Sequence, residues 1–103
     1  MWALYVSMSK WNPKQKEFYN SLRKILWEKW DPIGVYEPDV EWDDEYDSYA
    51  PHIFRLAIEG KDEIRIANSL SISAEQNMGL NPARSHDLNI AKLIIKTKNE
   101  ILA

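Results

Sequence analysis

The chain has 103 residues and a mass of 12.1 kDa, room for one domain that buries roughly two thirds of its unfolded surface without staples. Apolar residues at 45% and charged residues at 28% match ordinary globular proteins, and the absence of cysteine excludes disulfides, thiolate zinc sites and cysteine nucleophiles. The net charge of −3 argues against a general nucleic-acid binder, and no apolar run reaches the ~18–20 residues of a membrane span.

Residues 1–11 form an N-terminal arm with no assigned structure. Trp2, Leu4, Val6 and Met8 alternate with Ala3, Tyr5 and Ser7, which suits a short strand or an extended segment. The arm is not expected to be a signal peptide, because it has neither a basic start nor a small-residue cleavage site. Residues 12–103 are expected to make a single helical domain.

The first helix is expected from Asn12 to Trp30. Asn12 is an N-cap, Pro13 suits the first helical position, and Gln15 completes an N-x-x-Q capping box. Phe18, Leu22, Ile25 and Leu26 then recur at helical spacing. Pro32 pushes Asp31 out of the right-handed helical region, and Gly34 permits a positive φ, so Asp31–Gly34 is expected to be a tight turn.

A second helix is expected to start at Asp43 or Asp44 and to end at Glu59, with Gly60 past its end. Tyr46, Tyr49, Ile53, Leu56 and Ala57 lie on one face. Pro51 either kinks this helix or marks a restart after Ala50. Asp62 caps a third helix whose buried face carries Ile66, Ala67, Leu70, Ala74 and Met78. Gly79 ends it, Leu80 supplies the apolar contact of a Schellman motif, and Ser71–Ser73 is a run of poor helix formers. The fourth helix starts near Pro82 or Ser85 and carries Leu88, Ala91, Ile94, Ile95, Lys98 and Ile101. The fold expected is all-α, a single small bundle of about four helices with an acidic loop between the first and second.

Chemistry-bearing constellations are sparse. His52 and His86 are the two histidines, and neither belongs to a zinc-binding spacing. The acids at 39–47 lack the order of a calcium loop, no G-x-S-x-G occurs, and adjacent acids on a loop do not make a cleft with separated carboxyls. The expectation is therefore no enzyme, no metal and no cofactor.

Charge is distributed unevenly instead. Residues 31–47 hold eight of the 16 acids and no Lys or Arg, so the rest of the chain carries 13 bases against eight acids, a remainder of +5. Blocks of like charge stay solvated and often meet partners. Trp42, flanked by Glu41 and Asp43, either clamps this segment onto the bundle or anchors a partner. Asp39, Glu41, Trp42, Asp43, Asp44, Glu45 and Asp47 are the expected partner-binding residues.

The stretches W-D-P-I-G-V at Trp30–Val35 and D-E-Y-D-S-Y at Asp44–Tyr49 resemble a family of small helical bacterial domains of unknown function. That family carries a W-(D/N)-P-I-G turn and a D-E-Y-D-x-Y helix start. The likeness continues through Ile53–Leu56, Ile66–Leu70 and Met78–Leu80, covering residues 18–102. Met1–Trp11 and Pro38–Trp42 fall outside the pattern. Such domains are similar to immunity proteins that accompany bacterial toxins, and the family has no established activity to carry over to this chain. Within the motifs, Trp30, Asp31, Pro32, Gly34, Tyr46 and Tyr49 are expected to be structural, while Glu41–Glu45 meet the partner. The resulting expectation is a cytoplasmic, monomeric protein-binding domain that neutralises a basic toxin domain through its acidic surface, without contact to nucleic acid or membrane. The alternative is a helical regulatory or scaffold domain with no toxin partner.

Overall fold

The computed structural model describes residues 11–34, 36–38 and 46–102. Helix α1, Pro13–Ile25, begins at a closed capping box: the Gln15 backbone N–H donates to Asn12 Oδ1 at 2.8 Å, and the Asn12 N–H donates back to Gln15 Oε1 at 3.0 Å. Two of the orphan donors of a helix start are satisfied in this way. The helix does not stop at Ile25 but widens into a π turn, Leu26–Trp30, closed by the Asp31 N–H donating to the Leu26 carbonyl. Asp31 then adopts the left-handed conformation, φ 35°, and its carbonyl accepts from the Gly34 N–H across the turn. Gly34 itself has φ 80°, as the turn requires.

The second helix is shorter than the sequence suggests. Tyr46 lies outside helical geometry, a single 3-10 turn spans Asp47–Tyr49, and α2 runs Ala50–Ile58. Of the two alternatives at Pro51, the restart is the one found. Proline sits in the first turn of α2, where its missing N–H would have no intrahelical partner in any case. Residues 43–45, the expected start, lie outside the described residues. The C-terminus of α2 is a Schellman motif: the Lys61 N–H donates to the Leu56 carbonyl and the Gly60 N–H to the Ala57 carbonyl, with Gly60 at φ 80°.

Helix α3, Glu63–Ile72, is capped by Asp62, whose carboxyl accepts from the Arg65 N–H at 2.9 Å. It too widens, into a π turn over Ser73–Asn77. Gly79 ends it at φ 67°, and the Leu80 N–H reaches the Ala74 carbonyl, one residue wider than a standard Schellman bond because of the π turn. The serine run is not simply a weak stretch. Ser71 is buried and hydrogen-bonded, and Ser73 Oγ donates back to the Ser69 carbonyl at 2.9 Å. Helix α4, Arg84–Leu102, is the longest of the four.

Among the described residues 77% are helical and none is in a strand, so the protein is a small all-α bundle. Helix α4 packs most extensively on α3 and next on α1, while α2 bridges α1 and α3. The core is centred on Phe18, Leu22, Leu26, Ile53, Ile66, Leu70 and Ile94, each at most 1% exposed. Burying side chains of this size contributes about 1.5–3 kcal/mol apiece. Trp11, assigned to the N-terminal arm, belongs to this body: its ring stacks on Phe54 at 4.2 Å and tilts against Tyr19 at 5.2 Å.

Candidate partner-binding surface

The described residues on either side of the acidic segment meet at one corner of the bundle. Asp39, Glu41, Trp42, Asp43, Asp44 and Glu45 lie outside the described residues, whereas both flanks are fixed at one corner. On the outgoing side, the Tyr36 N–H donates to Asp31 Oδ2 at 3.0 Å, and the Tyr36 ring meets Trp27 edge-on at 5.7 Å. On the returning side, Tyr46 is 1% exposed, with its ring against Trp27 and Trp30. The Tyr46 hydroxyl donates to Asp31 Oδ1 at 2.7 Å and accepts from the Ile33 N–H at 3.2 Å. Asp31 therefore ties the two ends of the segment together through both carboxyl oxygens.

Asp47 is the one expected partner-binding acid among the described residues. It is engaged within the molecule, its Oδ2 pairing with Arg23 Nη2 on α1 at 2.7 Å. Beside that pair, Glu17, Asn20, Ser21, Arg23 and Lys24 line an open groove of about 440 Å³ on α1. Ile33, 44% exposed, caps the turn next to the same corner.

The corner is braced from below by the motif residues Trp30 and Tyr49 together with Ser71, His86 and Asp87, which lie outside the motifs. Trp30 is 1% exposed, and its indole N–H donates to Asp87 Oδ1 at 3.0 Å. Asp87, 2% exposed, accepts a second bond from Ser71 Oγ at 2.8 Å, so α4 holds α1 and α3 through one buried carboxyl. A buried acid without partners would be costly, and here each carboxyl oxygen has a donor. His86 Nε2 lies 2.9 Å from the Trp30 carbonyl, and since a carbonyl only accepts, the contact needs hydrogen on Nε2. This caps one of the last carbonyls of the π turn, a group with no partner inside its own helix. Tyr49, half-buried, sits edge-on to Trp30 at 5.7 Å. Of the residues expected to be structural, Trp30, Asp31, Tyr46 and Tyr49 meet at this corner, together with Asp87, Ser71 and His86.

No protein-family model, curated protein or solved structure matches the chain.

The buried carboxyl of Asp87 is occupied by two donors and lies under the corner, and His52 is exposed on α2. Among the described residues, no group of three or more His, Asp or Glu side chains is placed to hold a metal ion. No helix among them is long and apolar enough to cross a membrane.

Proposed function

We propose that the protein is a cytoplasmic binding domain that neutralises a basic partner, most concretely a bacterial toxin domain, through the acidic segment 39–47. The observation that supports this reading is the anchoring of that segment: Tyr36 and Tyr46 are both tied to Asp31, and the nine residues between them carry six acids, Glu37, Asp39, Glu41, Asp43, Asp44 and Glu45. Fixing the ends lowers the ordering cost that a recognition segment must meet when it binds. Concentrated negative charge on a body that is otherwise +5 raises the encounter rate with a basic surface. Trp42 supplies the aromatic anchor that interfaces favour. The likeness of W-D-P-I-G and D-E-Y-D-S-Y to small bacterial immunity-type domains points the same way.

The test is co-purification with the protein encoded beside this chain in its genome, followed by binding kinetics at two salt concentrations. Changing Glu41, Asp43 and Asp44 together to Lys is expected to slow association and to flatten its salt dependence, with the melting temperature unchanged. Trp42→Ala is expected to speed dissociation, at a cost on the order of 2 kcal/mol. Unchanged association by the triple-Lys variant would move the interface off the acidic segment.

A further inference from the structure

On the α3–α4 side of the bundle lies a second surface that the reading above does not use. Arg65, Asn68, Ser71, Ile72, Glu75 and Arg84 line an open groove of about 230 Å³ between α3 and the start of α4. Both arginines are exposed, and neither forms an ion pair among the described residues. Glu75 is the single acid among the six. Ile72 is 50% exposed within the groove, and Ile64, 55% exposed, lies on the same stripe of α3 through Asn68, at i, i+4 and i+8. Two guanidinium groups beside half-exposed isoleucines suit a ligand that alternates carboxylates with apolar side chains: Arg binds carboxylates in a planar, two-point fashion, and the isoleucines offer apolar contact.

This chain contains such a ligand. In E-P-D-V-E-W-D-D-E, residues 37–45, Val40 and Trp42 alternate with Asp39, Glu41 and Asp43. We infer that the α3–α4 groove receives the acidic segment of a second copy of the chain, in a head-to-tail contact. The charge balance favours this occupant over others: one molecule carries eight acids in 31–47 and +5 on the remainder, so each copy presents what the other's groove lacks. The contact joins two different surfaces, so it either closes into a ring or extends. It gives the acidic segment a resting partner and departs from the monomer expected from the sequence. It does not depend on a toxin partner.

Sedimentation of the full chain tests this directly. At about 0.05 M salt the weight-average mass is expected to rise above 12.1 kDa as protein approaches about 1 mM, and to fall back at about 0.5 M salt. The variant Arg65→Glu/Arg84→Glu and the variant Glu41→Lys/Asp43→Lys/Asp44→Lys are each expected to associate at least about tenfold more weakly than the wild type. An equimolar mixture of the two is expected to associate again, because each reversed surface then meets its complement. The milder Arg65→Gln/Arg84→Gln variant repeats the groove test, with far-UV circular dichroism verifying that each variant remains helical. A wild type that stays at 12.1 kDa throughout, groove variants that associate like the wild type, or a mixture that stays monomeric would each overturn the inference.

Discussion

Helices α1 and α3 end in the same way and solve the ending differently. Each widens into a π turn, Leu26–Trp30 in one and Ser73–Asn77 in the other, and each then reverses through a left-handed residue. After α3 that residue is Gly79, which meets no steric penalty at φ 67°. After α1 it is Asp31 at φ 35°, a conformation that costs an ordinary residue roughly 1–2 kcal/mol and is tolerated best by Asn and Asp. The α3 end only has to turn the chain, and a residue without a side chain suffices. The α1 end also has to hold the acidic segment, and the carboxyl of Asp31 does so by accepting from Tyr36 and Tyr46. Backbone strain at Asp31 is offset by side-chain work that glycine cannot do.

The same contrast extends one residue back. Trp30 ends its π turn with the indole bonded to buried Asp87 and the carbonyl met by His86. Asn77 ends the other π turn exposed. Trp30→Ala should therefore have the largest effect of any change near a helix end, about 3–5 kcal/mol by urea denaturation, since it opens a cavity and removes the donor to Asp87. A loss below about 1 kcal/mol would mean that the α1 corner is no firmer than the α3 end. Asp87→Ala comes next. It leaves the Trp30 N–H and the Ser71 hydroxyl buried without an acceptor, at about 1–3 kcal/mol, and Asp87→Asn should recover part of that loss by keeping one acceptor.

The smallest effects discriminate most sharply. Gly79→Ala should cost about 1 kcal/mol from strain alone, because nothing lies within 4 Å of an added Cβ. Asp31→Gly relieves strain and on backbone grounds should stabilise the protein. The two lost hydrogen bonds outweigh that relief, so a net loss of about 1 kcal/mol is expected in thermal unfolding. A stabilised Asp31→Gly would make Asp31 equivalent to Gly79 and dissolve the contrast.

Much of this architecture was legible in the sequence because its signals are local. Asn12–Gln15, Asp62, Gly60 and Gly79 act within a few residues of themselves, so caps and stops could be read from composition and spacing. Pro51 was ambiguous, since a proline one turn into a helix and one at its start look alike when the preceding acids also favour helix. Asp87 and Ser71 were hidden for the opposite reason. Their partners lie 57 and 16 residues away, and a lone acid on a helix with exposed neighbours carries no local mark of burial. The π turns were equally hidden, because a one-residue widening leaves the apolar spacing of Leu22, Leu26 and Trp30 intact. Of the expected binding residues, only Asp47 falls among the described residues, where it is paired with Arg23. Charge counting locates an acidic run but does not reveal which of its members turn inward.

The central claim is that Asp31 and Tyr46, one from each sequence motif, act as a unit that closes the base of the acidic segment. A double-mutant cycle of Asp31→Gly and Tyr46→Phe, followed by urea denaturation, measures this directly. Tyr46→Phe keeps the ring against Trp27 and Trp30 and removes the hydroxyl that donates to Asp31 Oδ1. The account predicts a coupling energy of about 1 kcal/mol or more, with the double variant less destabilised than the sum of the single ones. Additivity within about 0.3 kcal/mol would contradict it, and would leave the two motifs as neighbours that share a corner without holding it together.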